Sequence, residues 1–250
     1  MLGSQSEYDM GVNTFSPEGR IYQIEYAMNA SKLGASGVGI AVPSGVVLAV
    51  EKKASSKLVS RLGFEKIAEI DSHIYCIVSG LIADSQRLIE PARAEAHYHR
   101  FLYKEPIPLK STTQAVADLT LGFGEGDKTS KKKSIARPYG VSLLLGGIDE
   151  QGPGLYQMDP SGTVVGFVAK GVGSAEQGIN SLLEKHFKGD ESLEDAEVLA
   201  LSVLRQVMEE KIKGDLVDVA VCARENGKVV FRRRTVKEIE DKIKLTKELI

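Results

Sequence analysis

Residues 141–148 read Val-Ser-Leu-Leu-Leu-Gly-Gly-Ile, apolar or small at nearly every position. A strand wetted on one side alternates polar and apolar residues. A near-continuous apolar run is expected where both faces are buried. Such a strand needs a covering layer on each side, and the rest of the chain must supply two. Further β runs occupy residues 38–42 and 46–51, joined by Pro43, Ser44 and Gly45, and residues 66–70 and 74–79. Residues 155–158 and 164–168 flank the turn Asp159-Pro160-Ser161-Gly162. Residues 217–223 and 228–232 flank Asn226-Gly227, the pair favoured in a type I′ hairpin turn.

Between these runs the apolar period lengthens from two to about 3.6. A helix is predicted from about Leu81, with Leu88, Ala92 and Ala96 on one face. Pro91 lies inside it, so a kink or break is expected around Glu90. A second helix is predicted from Ser111, with Gln114 completing a capping box and Val116, Leu119 and Phe123 as its stripe. A third opens at Ser174 with Gln177 and carries Ile179, Leu182, Leu183 and His186. A fourth opens at Ser192, carries Ala196, Leu199, Ala200, Val203 and Val207, and is expected to stop at Gly214. Residues 235–249 read as a charged terminal helix.

Strands, two helices, strands, two helices, strands: the simplest packing is two stacked sheets with a helix pair outside each. The expected fold is therefore α+β, a four-layer αββα sandwich with an extra N-terminal helix. That helix, residues 21–33, has apolar edges at Ile21/Ile24/Met28 and Tyr22/Tyr26/Leu33, and must pack on an end of the sandwich or against another chain. With 250 residues, 42% of them hydrophobic, a single domain is expected. Residues 1–34 form its leading segment and helix, 35–234 its core, and 235–250 a terminal helix of the same domain.

Composition narrows the function. A formal net charge of -2 gives no overall basic surface for nucleic acid. Cys76 and Cys222 sit in apolar runs and read as buried small hydrophobes, as expected in a reducing compartment. The start of the chain lacks the pattern of a signal peptide, and no apolar stretch is long enough to span a bilayer. Gly34, Gly37 and Gly39 precede a strand, not a helix N-terminus, so a phosphate loop is not expected. His97 and His99 are two apart on a helix and face different ways, which argues against a metal site. Asp71, His73 and Ser79 fit turn and strand positions as well as a triad. Lys131, Lys132 and Lys133 read as a solvated loop, with a nuclear localisation signal as the alternative. No cofactor is expected.

Several segments together resemble one family. Tyr8-Asp9, Thr14-Phe15-Ser16-Pro17-Glu18-Gly19-Arg20 and Gln23-Ile24-Glu25-Tyr26-Ala27 are similar to the N-terminal signature of proteasome alpha subunits. Residues 45–52, 79–84, 137–141, 159–162 and 171–174 follow in the family's order and spacing. Pro91 and the lysine run at 131–133 depart from the pattern outside the signature. The resemblance implies the N-terminal nucleophile hydrolase-like fold. It also implies a ring subunit whose partners are neighbouring alpha subunits, beta subunits, and an ATPase regulatory particle or other activators, in cytoplasm and nucleus.

The related beta-type subunits cleave peptides with an N-terminal threonine, whose hydroxyl attacks while its own amine serves as base. Placed on this chain, that template puts the nucleophile near Ala35, the acid on Glu51 and the lysine on Lys66. Ala35 has no hydroxyl. Ser36 is one place late, and a free amine there would require discarding residues 21–33. The expectation is a non-catalytic subunit; the alternatives are a self-processing threonine- or serine-type hydrolase and a free-standing αββα binding module. From the residues alone, Tyr8, Asp9, Pro17 and Tyr26 read as a helix-entry turn with solvated aromatics; the resemblance implies a cluster holding a pore gate open. Lys66 reads alone as a solvated lysine paired with Glu65 or Glu69. The resemblance implies a pocket, lined also by Gly34 and Leu81, that receives the carboxylate of an activator's tail.

Overall fold

The computed structural model describes residues 11–52, 66–123, 135–246 and 249. Tyr8, Asp9, Glu65 and the three lysines at 131–133 lie outside them. Helix α1 (Tyr22–Lys32) leads into the hairpin β1 (Gly37–Val42) and β2 (Gly45–Glu51). Strands β3 (Ile67–Asp71) and β4 (Ile74–Gly80) precede helices α2 (Ile82–Tyr103) and α3 (Leu109–Thr120). Then come β5 (Val141–Asp149), β6 (Gly152–Met158), β7 (Val164–Phe167) and β8 (Ala169–Val172). Helices α4 (Glu176–His186) and α5 (Leu193–Val207), strands β9 (Val217–Glu225) and β10 (Lys228–Arg233), and α6 (Val236–Ile243) complete the order.

The strands form two five-stranded antiparallel sheets, β10-β9-β2-β1-β8 and β3-β4-β5-β6-β7. Helices α2 and α3 cover the second sheet through Leu88, Ile89, Ala92, Ala96, Val116 and Ala117. Helices α4 and α5 cover the first through Ile179, Leu183, Ala200 and Leu204. Between the sheets lie Val46, Leu48, Ile77, Leu144 and Leu155. The expected four layers are present, and β5 is buried along residues 141–148 because it faces α2 and α3 on one side and the first sheet on the other. Two glycines set how closely the sheets approach. A Cβ at Gly39 would lie 2.7 Å from Leu155 Cδ1, and one at Gly146 2.9 Å from Val46 Cγ1.

Several local expectations change. Helix α2 continues through Pro91, so of the expected kink or break the break does not occur. The lost hydrogen bond orphans one carbonyl near exposed Arg87, while Leu88, Ile89 and Ala92 remain buried and hold the helix to the sheet. Helix α3 starts at Leu109, not Ser111, with no cap from its own flanking residue. Asp149 of β5 accepts the Leu109 amide at 2.9 Å, and Gln114 bonds to Asp118 instead. Ser174 does not cap α4, whose first flanking residue is Ala175. Helix α5 is capped by Ser192, as expected, but ends at Val207, well before Gly214, because Met208 turns to extended geometry. The Asn226-Gly227 turn has φ of 51° and 78°, the double left-handed conformation of a type I′ turn. Strand β8 was hidden in the sequence: Val168 carries the chain from the edge of one sheet to the edge of the other, its carbonyl bonding to the Ala41 amide at 2.7 Å.

One buried ion pair ties the last elements to the first sheet's helices. Glu197 on α5, 1% exposed, accepts from Arg234 Nε at 3.0 Å and Nη2 at 2.6 Å. Arg234 also donates its amide to the Val219 carbonyl. Arg234→Leu would leave the Glu197 carboxylate buried without its cation. We expect destabilisation of ~3–5 kcal/mol in denaturant unfolding, the range for breaking one side of a buried pair.

Candidate functional site

The signature residues gather at one end of the sandwich. Ser16, Pro17, Glu18 and Gly19 form a tight turn in which the Gly19 amide bonds to the Ser16 carbonyl at 2.9 Å. Gly19 has φ 77°, a conformation glycine adopts without steric cost. The Ser16 side chain then accepts the Arg20 amide at 3.2 Å. Arg20 pairs with Glu25 through Nε at 2.6 Å and lies over the Tyr22 ring, and Tyr22 stacks on Tyr26 with centroids 6.4 Å apart. Pro17 is exposed in this turn and Tyr26 is 42% exposed on α1, so the two described members of the expected gate cluster stand on adjoining elements.

Helix α1 packs across the ends of β4 and β5. Ser31 is the joint. Its carbonyl accepts from Ser79 Oγ at 2.8 Å, and its hydroxyl accepts from Ser142 Oγ at 3.0 Å while donating to the Met28 carbonyl at 2.8 Å. All three serines are buried. The contact admits no extra atoms: a Cβ at Gly34 would lie 2.1 Å from the Gly80 nitrogen, and one at Gly80 would lie 2.8 Å from Ser31 Cα. Of the two places expected for this helix, an end of the sandwich or another chain, the structure shows the first: it closes this end of the sandwich.

The hydrolase template meets a different geometry. Ala35 is 6% exposed and packs in the cluster between the sheets. The Gly34 carbonyl accepts the Ser174 amide at 3.1 Å, and Ser36 Oγ lies 3.1 Å from Ser174 Oγ. Glu51 is buried, and its amide bonds to the Ser36 carbonyl at 2.8 Å. Ser36 is thus an internal residue whose hydroxyl is engaged and which has no free amine. Cutting after Gly34 would detach α1 and break the Ser31 joint. The constellation lacks the nucleophile–base pair that this chemistry requires.

Lys66 precedes β3 directly. Its carbonyl accepts the Val78 amide at 3.1 Å, so strand register places it across from Val78, next to Ser79, Gly80 and Leu81. Gly34 lies against Ser79 and Gly80. The structure therefore brings Lys66, Gly34 and Leu81 to the same end of the second sheet. Leu81 is 47% exposed. Burial lowers the pKa of Lys66 from its ordinary value. Among the described residues no carboxylate pairs with its ammonium, and Glu69 interacts with the Tyr75 hydroxyl instead.

Sequence reasoning named the segments holding Asp84 and Arg137 without a role for either residue. Asp84, in the first turn of α2, accepts from Arg137 Nη1 at 2.7 Å, Arg137 Nη2 at 3.0 Å and the Gly140 amide at 3.0 Å. This clasp fixes the approach to β5 beside Leu81, whose amide bonds to the Gly140 carbonyl. Burial pushes the Asp84 carboxyl up, but the Arg137 and Gly140 hydrogen bonds and the Arg137 charge outweigh it and hold the carboxyl below its ordinary range. An acid in the first turn of a helix gives no sequence signal of a partner 53 positions away.

The other candidates separate. His73 Nδ1 is 3.5 Å from Asp71 Oδ2, but Ser79 lies at the far end of β4, so the three form no triad. Among the described residues no cluster of His, Cys, Asp or Glu could hold a metal, and no helix is long and apolar enough to cross a membrane.

Comparison with known proteins agrees with this geometry. The pattern of the family described as "Proteasome subunit" matches residues 31–222, and the N-terminal signature of A-type proteasome subunits matches residues 8–30. The chain belongs to the proteasome subunit family. It is 50% identical over 227 residues to the probable alpha type-5 proteasome subunit of Schizosaccharomyces pombe, covering 91% of this chain and 92% of that one. It is 45% identical over 244 residues to the alpha type-5 proteasome subunit of Drosophila melanogaster, covering 98% and 99%. The Trypanosoma brucei brucei alpha type-5 protein is 43% identical over 243 residues, covering 97% and 98%. The signature spans the turn and α1, the elements that close the sandwich. As a proteasome subunit of alpha type, the chain carries those elements within the matched signature.

The Asp84 clasp predicts a pH dependence. A carboxyl whose folded pKa is depressed stabilises the fold above its unfolded value, near ~3.9, and loses that stabilisation as pH falls through the folded value. Asp84→Asn is expected to lower stability by ~1–3 kcal/mol at neutral pH. The deficit relative to the parent should shrink below about pH 4 in acid-titrated unfolding curves.

Proposed function

We propose that this chain is a non-catalytic subunit of the alpha ring of the proteasome core particle, that it helps form the substrate-entry gate, and that it docks regulators in protein degradation, ubiquitin-dependent degradation included. The observation that carries the reading is α1 seated over the sandwich end through Ser31, which leaves Ala35 internal and buried. The gate role rests on the signature residues Tyr8, Asp9, Pro17 and Tyr26, of which Pro17 and Tyr26 lie on the exposed turn and helix. Two phenols and one carboxylate can share hydrogen bonds beside a turn that proline fixes.

Lys66 supports the docking role. A half-buried ammonium with no carboxylate among the described residues gains most from an incoming one. A regulator's C-terminal carboxylate, seated beside Gly34 and Leu81, would supply it. The partners in this reading are neighbouring alpha subunits, beta subunits carrying the cleavage sites, and an ATPase regulatory particle or other activator. The setting is cytoplasm and nucleus, where two buried free thiols, Cys76 and Cys222, remain reduced.

Two measurements test it. The intact mass of the chain from its native complex should include residues 21–33; a mass beginning at Ala35 or Ser36 would replace this reading with a self-processing hydrolase. Lys66→Ala should leave incorporation into the particle unchanged and weaken regulator docking by ~10-fold or more, about the value of one charged hydrogen bond. Unchanged regulator affinity would remove Lys66 from the docking site.

A further inference from the structure

Two five-stranded sheets have four edge strands, and these edges are not protected alike. On β3, register directs the Lys66 carbonyl toward β4 and those of Ile67 and Glu69 outward. Both outward carbonyls are capped by arginines: Ile67 by Arg233 Nη2 at 2.6 Å, Glu69 by Arg93 Nε at 2.8 Å. Strand β10 carries Lys228, Arg232 and Arg233 within six residues. Charged side chains on an edge oppose pairing with another chain.

The opposite side is built differently. Strands β7 and β8 are consecutive, so residues 164–172 form the edge of both sheets in turn. The alternation of an antiparallel ladder assigns the direction of each backbone group. The Asp159 amide bonds to Thr163, which sends the groups of Val164 and Gly166 outward. The Val168 carbonyl bonds to Ala41, which sends those of Ala169 and Gly171 outward. The Gly171 amide is capped by Asn180 Oδ1 at 2.9 Å. The outward groups of Val164, Gly166 and Ala169 bond to no described residue. Val165 and Val168 expose 44% and 66% of their surface, and no charged side chain precedes Lys170 on this edge.

Beside the edge is a groove of about 340 Å³ between β8 and α4, lined by Phe167, Val168, Leu183 and Phe187. Its cation is already used, since Lys170 pairs with Glu176 at 2.7 Å. Glu184, also lining the groove, is exposed and has no ion pair among the described residues.

We propose that the β7–β8 edge pairs with an extended segment of a neighbouring proteasome subunit. That segment adds a strand to the unguarded backbone, places an apolar side chain in the groove and brings a Lys or Arg to Glu184. Open backbone groups select an extended occupant, alternate side chains select its sequence, and the Glu184 carboxylate sets its charge. This rests on the ring-subunit reading and names a contact surface for it.

Hydrogen exchange on the assembled particle tests the pairing. The Gly166 and Ala169 amides are expected to exchange at least ~100-fold slower than an unstructured chain, as paired strands do. Slowing of less than ~100-fold would overturn the pairing while leaving the ring reading intact. Absence of the chain from the particle would overturn both. In a competition between tagged chains, Val165→Lys with Val168→Lys should reduce incorporation by ~10-fold or more, because lysine guards an edge. Val236→Lys, on exposed α6, should incorporate normally. Equal incorporation of the double variant would overturn the proposal.

Discussion

The seating of α1 on the ends of β4 and β5 is the contact on which the functional reading depends. It is made by small residues at close range. Ser31 meets Ser79 and Ser142 through hydrogen bonds that satisfy three buried hydroxyls, and Gly34 meets Gly80 where any Cβ would collide. Buried polar groups are costly when unpaired, so this joint specifies one position for the helix. A larger residue at Gly34 would lift the helix off, and an unpaired serine would leave a desolvated hydroxyl behind.

The same joint separates this chain from a hydrolase. The sequence template assigns an acid to Glu51 and a lysine to Lys66, and both residue types are present. Catalysis needs an amine and a hydroxyl on one terminal residue, and the polypeptide instead passes through Gly34 and Ala35 into a buried turn held by Ser174. What survives is a half-buried lysine beside a helix-capped end. That suits recognition of a carboxylate better than bond cleavage, because recognition needs only the charge and an open approach.

Edges and ends of the sandwich divide the work. One end is closed by α1 and braced by the Asp84–Arg137 clasp. One side is shielded by arginines whose guanidinium groups reach across to strand carbonyls. Along β7 and β8 on the other side, the outward groups of Val164, Gly166 and Ala169 bond to no described residue. A member of a larger assembly has to tell its contact surfaces from its solvent surfaces, and backbone hydrogen bonding offers a direct way to do so.

The layers of this fold were legible in the sequence because periodicity reports burial. The unbroken apolar run of β5 demanded cover on both faces, the helix pairs supplied it, and the Asn226-Gly227 turn required left-handed geometry that only such residues adopt without strain. The absence of a hydroxyl at Ala35 was equally plain. Tertiary structure decided everything that joins distant residues. Asp149 replaced the local cap expected at Ser111, Ser174 bonded to the Gly34 carbonyl instead of capping its own helix, and burial of Leu88 and Ala92 carried α2 through Pro91. Strand β8 emerged only when β1 was in place to receive it. Local propensity is written in neighbouring residues. Whether Lys66 stands beside Gly34 and Leu81, and whether Asp84 meets Arg137, depends on strand register and on partners distant in the chain, which no local pattern encodes.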